Sequence, residues 1–148
     1  MKRYQIINFH HFLSQIDLQQ VSKEARSRLI SLDLILGDIV DEYNEEVEKV
    51  KTRLIKGHEA EVQEVSELIN QLQTAEDKEA IKALIDQHKD YAEIQQQFNE
   101  EVHKRLTEDV EIDIEKISST DLAEWCALSG TSINLEVLRE FRKAGLTN

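Results

Sequence analysis

Glu100 and His103 stand three residues apart, the Glu-x-x-His spacing with which helical bundles hold paired iron ions. On a helix that step puts a carboxylate and an imidazole on one face. A di-iron site also needs a second such pair and two further glutamates. No other Glu in the chain precedes a His by three, so Glu100 and His103 read as two surface residues. His10 and His11 are adjacent, and their rings diverge on a helix rather than sharing a face. His58-Glu59 begins like a zinc-protease helix, but Val62 takes the place of the second His. These spacings lead us to expect no metal ligands and no cofactor.

Asp38, Asp41, Glu42, Glu45 and Glu48 raise a second kind of chemistry. Helical nucleoside triphosphate pyrophosphohydrolases hold Mg²⁺ between a Glu-x-x-Glu pair and a Glu-x-x-Asp pair on a facing helix. The five acids look like the first half of that clamp, but the chain contains no Glu-x-x-Asp. A triphosphate–Mg²⁺ complex would lack its facing oxygen ligands. Steps of three, one, three and three instead place the five on one broad helical face. That face either solvates the helix or docks a basic protein patch, such as the DNA site of a nucleic-acid enzyme. These are the candidate partner-binding residues, and no residue is assigned a catalytic role. No phosphate loop, nucleophile–His pairing or oxyanion-type glycine turn is present.

A DNA-binding alternative rests on the C-terminal end. Leu122-Ala123-Glu124-Trp125-Cys126-Ala127-Leu128-Ser129-Gly130 and a following helix have helix-turn-helix length, with Arg139, Arg142 and Lys143 on the second helix. Glu136 and Glu140 share that helix, and a net charge of −12 repels phosphates. A structural helix pair is the better reading.

The elements behind these residues are mostly helical. There are no prolines and four glycines, and helix formers dominate. From Ser22 to about Lys56, Ala25, Leu29, Leu32, Leu36, Ile39/Val40, Tyr43, Val47, Val50 and Leu54 recur at helical steps, with Ser22 as N-cap and Gly57 as stop. Residues 58–73 predict a shorter helix through Val62, Val65, Ile69 and Leu72. A third helix over 78–107 carries Ile81, Leu84, Ile85, Tyr91, Ile94, Phe98, Val102 and Leu106. His88 and Gln95 sit near its apolar stripe, at an edge that reaches water. Helices of about 36 and 30 residues span roughly 54 and 45 Å, a match that predicts a side-by-side pair.

At the ends of that pair we expect strands at 3–8 and 110–114. Tyr4-Gln5-Ile6-Ile7 is β-branched and aromatic, and Val110-Glu111-Ile112-Asp113-Ile114 alternates strictly. Phe9, Phe12, Leu13 and Ile16 suggest a short helix after the first strand. Ser118 and Asp121 open one C-terminal helix, which stops at Gly130. A last helix over about 134–144 points Leu135, Leu138 and Phe141 inward. The expected fold is mainly α: a long antiparallel helical hairpin with a short tip helix, a small two-stranded β pair and two C-terminal helices at its base. We expect a single domain over 1–148, with the hairpin at 20–107 and the base at 1–19 and 108–148.

Cys126 is the only cysteine, so no internal disulfide forms and a reducing compartment fits. Met1-Lys2-Arg3 opens like a signal peptide, but Asn8, His10 and His11 interrupt the apolar run and no cleavage site follows. No segment is long and apolar enough to span a membrane.

Several of these stretches resemble a family of small, uncharacterised proteins encoded by tailed phages and prophages. They are Phe12-Leu13, Ser22-Lys23-Glu24-Ala25-Arg26, Asp41-Glu42-Tyr43, Glu111-Ile112-Asp113-Ile114 and Leu128-Ser129-Gly130, spread over about two-thirds of the chain. The resemblance implies phage origin and no established activity. The expectation is a non-enzymatic assembly accessory or binder of a host or phage protein, in the host cytoplasm or on the virion. Its partner is a protein with basic surface, not a membrane or a nucleic acid.

Overall fold

The computed structural model describes residues 1–148 and is mainly α. Its helices are α1 (Arg3–Leu13), α2 (Lys23–Ile55), α3 (Glu59–Leu72), α4 (Lys78–Asp86), α5 (Lys89–Thr107), α6 (Ser119–Leu128) and α7 (Leu135–Lys143). The chain forms two compact units, residues 1–44 with 105–148, and residues 45–104. Their boundaries fall inside α2 and α5.

The first unit holds a large apolar core. Ile6, Phe9 and Leu13 of α1 meet Ala25, Leu29, Leu32 and Leu36 of α2 there, together with Ile117, Leu122, Trp125, Cys126, Phe141 and Leu146. The Phe141 ring packs edge-on against Phe9 and Phe12, with centroids 4.9 and 5.8 Å apart. Burial pushes the Cys126 thiol pKa up. Ser118 caps α6 by accepting from the Asp121 N–H, and Asn134 caps α7 by accepting from the Val137 N–H.

The two expected strands are not formed. Residues 3–8 belong to α1, because Ile6, Phe9 and Leu13 reach the core only at steps of three and four. That burial outweighs the β preference of Ile6 and Ile7. With that partner coiled into a helix, residues 110–114 have no edge to pair with. Their alternation survives as in-and-out packing: Ile112 and Ile114 lean on the core, while Glu111 and Asp113 are exposed. Only isolated bridges remain, Lys2 with Asp109 and Ile117 with Thr147.

In the second unit Val50 and Val65 are buried. Gly57 ends α2 at φ +86°, a left-handed conformation that a Cβ disfavours. The expected third helix is interrupted: α4 stops at Asp86 and α5 begins at Lys89. At the break the His88 N–H bonds the Ile85 carbonyl, and the His88 ring approaches Glu61 of α3. The expected match of two long helices therefore fails, because α5 has 19 residues against 33 in α2.

Candidate interaction face and ligand cluster

Asp38, Asp41, Glu42, Glu45 and Glu48 all lie on α2 and are all exposed. At about 100° per residue they fall within an arc of roughly 120°, turned away from Leu29, Leu32, Leu36 and Val50. The burial of those four fixes which side of α2 faces inward. Tyr43 shares the inward side, where burial raises its phenol pKa against the opposing pull of Arg3 and Arg105. None of the five carboxylates makes an ion pair or a hydrogen bond. Arg53, one turn beyond Lys49 on the same helix, is instead paired with Glu101. Lys49 is exposed within the same arc, so the face carries five carboxylates and one lysine and is strongly net negative.

In the second unit, α2, α3 and α5 line an open cavity of about 340 Å³. Val47, Leu54, Ile55, Val62, Tyr91, Ile94 and Phe98 supply its apolar lining, and Glu48, Lys51, Ser66 and Gln95 its polar part. Glu48 thus belongs both to the acidic face and to the cavity lining. Gln95, expected at the edge of a helical seam, is exposed, and its side-chain amide N–H donates to the Asn99 side-chain Oδ1.

A second group of polar side chains gathers at the beginnings of α3 and α5. The His58 Nδ1 lies 3.8 Å from Glu61 Oε2, and the His88 Nδ1 lies 3.2 Å from Glu61 Oε1. His88 Nε2 also stands 3.9 Å from Glu64. Asp90 completes a set with His58 and Glu61 whose ligand atoms all lie within 4.8 Å of one another. Beside it, the Glu59 carboxyl is held below the ordinary range by the backbone N–H groups of Glu59 and Gly57. Sequence spacing did not reveal this group. His58 and Asp90 are far apart in the chain, and the group forms only where the start of α5 meets the start of α3. The His58-Glu61 step of three was the one local signal, since it places both at the start of a helix.

The remaining sequence candidates stay apart from these features. His10 Nε2 faces Asp33 Oδ1 at 3.0 Å across α1 and α2, and His11 contacts Gln15 just past the end of α1. Arg139, Arg142 and Lys143 are exposed on α7 beside Glu136 and Glu140. Residues 129–134 separate α6 from α7, longer than the 3–4-residue turn of a helix-turn-helix.

No protein-family model, curated protein or solved structure matches the chain.

Proposed function

We propose that the chain is a non-enzymatic, phage-encoded binding protein that docks a basic protein surface onto the acidic face of α2. The observation that carries this reading is five exposed carboxylates on one helical face with no internal partner. Asp38 to Glu48 covers about 15 Å of helix axis. One strand of duplex DNA places a phosphate about every 3.4 Å, or four to five over the same length. A protein groove that reads a nucleic-acid backbone therefore meets a similar line of negative charge. The apolar cavity beside Glu48 offers such a partner a place for an apolar side chain.

Replacing Glu42, Glu45 and Glu48 together with Gln tests the proposal. Wild-type protein should capture a basic partner from host extract, and capture should fade with salt and with added duplex DNA. The triple variant should keep its fold and lose the partner. Undiminished capture by the triple variant would overturn the reading.

A further inference from the structure

The side chains at the starts of α3 and α5 are mixed nitrogen and oxygen donors rather than a purely acidic group. Glu61 is hydrogen-bonded to the His88 ring at 3.2 Å and has the His58 ring 3.8 Å from its other oxygen, with its side chain only 24% exposed. His58 occupies the N-cap position of α3, yet its ring caps none of the helix N–H groups. We propose that His58, Glu61 and Asp90 bind a divalent transition cation, with zinc the best fit, and that His88 positions Glu61 for it.

Donor type, distance and charge all support this assignment. One imidazole nitrogen with two carboxylate oxygens suits Zn²⁺, whereas Mg²⁺ and Ca²⁺ favour oxygen alone. With bonds of about 2.0–2.2 Å, neighbouring zinc ligands stand roughly 3.3–3.6 Å apart in a tetrahedron. The present spread of up to 4.8 Å closes to that by side-chain rotation of about an ångström. His58 is partly exposed and Asp90 exposed, so such rotation disturbs no core packing. Two carboxylates cancel the charge of a dication. That neutrality is needed here, because α3 and α5 both present their electropositive N-terminal ends. Three protein ligands leave a fourth position to water. His88, hydrogen-bonded to the carboxylate of Glu61, then acts as the outer partner that ligating side chains usually have.

The test uses the full chain, stripped with chelator and then titrated with Zn²⁺ by calorimetry and with Co²⁺ by visible absorption. One ion per chain is expected, with cobalt d–d bands of low coordination number and no competition from Mg²⁺. His58→Ala and Asp90→Asn should each weaken Zn²⁺ binding at least tenfold. Asp90→Asn conserves shape, and a circular dichroism spectrum identical to wild type confirms that its fold is kept. His88→Ala should weaken binding about 10–100-fold while leaving one ion per chain. Absence of stoichiometric Zn²⁺ binding in the wild type would overturn the proposal. Equal affinity in the wild type and both ligand variants would do the same, as would loss in His103→Ala with retention in His58→Ala. The acidic face of α2 plays no part in this site, so its failure as a docking surface leaves the metal result untouched.

Discussion

Trp125 sits in the core of the first unit at 7% exposure, beside Leu122 and Cys126 on the same helix. Truncation there removes the largest apolar side chain of α6 and leaves a void that the surrounding helices only partly refill. Trp125→Ala should cost about 3–5 kcal/mol in urea unfolding. A loss near zero would mean that the ring is not packed in the core. Lys2 and Asp109 make a weaker, pH-dependent contribution at the surface, with Nζ 2.7 Å from the carboxylate. The hydrogen bond from Lys2 holds the Asp109 carboxyl below the ordinary aspartate range. An aspartate lowered in this way stabilises the fold above its unfolded pKa of about 3.9 and loses that contribution as pH falls through the folded value. Lys2→Met should therefore unfold at lower urea than wild type at neutral pH. The two should converge at a pH below the folded value, and a gap that persisted there would assign the effect to packing by the lysine stem.

At the scale of the elements, α4 is short and holds no buried residue, so its ends matter more than its middle. Asp77 caps it by accepting from the Ala80 N–H at 3.1 Å. Asp77→Ala should cost about 0.5–2 kcal/mol and speed amide exchange at the first turn of α4. Unchanged exchange would show that the cap is not needed. The helices with strong periodic stripes and terminal glycines were legible in the sequence: α2, α3, α6 and α7 lie within a residue or two of expectation. Short segments failed for a different reason. Ile6 and Ile7 carry β preference, but tertiary burial of Ile6, Phe9 and Leu13 decides for helix. At Gln87–His88 no proline or glycine marks the break, and the attraction of His88 to Glu61 lies outside any local window. The acidic face was legible because it depends on one helix alone. The His58, Glu61 and Asp90 group was not, because it needs two segments to meet.

For the whole molecule the dominant fact is a net charge of −12. Such an excess opposes compaction through self-repulsion, and α2 concentrates part of it on one side. Thermal stability should rise as ionic strength increases from about 0.01 to 0.15 M, which shortens the screening length from about 30 to 8 Å. The triple Gln variant at 42, 45 and 48 should melt at or slightly above the wild-type temperature at low salt and show a shallower salt response. A lower melting temperature would mean that these carboxylates support the fold. The two units also differ in how they are drawn from the chain. Residues 45–104 are contiguous, but the first unit joins residues 1–44 to 105–148. On the ribosome, then, Phe9, Leu13 and Leu29 emerge long before Leu122, Trp125 and Phe141 that cover them. At about 5–20 residues per second, the final stretch takes roughly 2–9 s to synthesise. Throughout that interval the nascent chain carries a half-assembled apolar surface, a natural target for holding chaperones. The segment between can meanwhile complete its own helices, so translation orders the folding of a unit that begins first and finishes last.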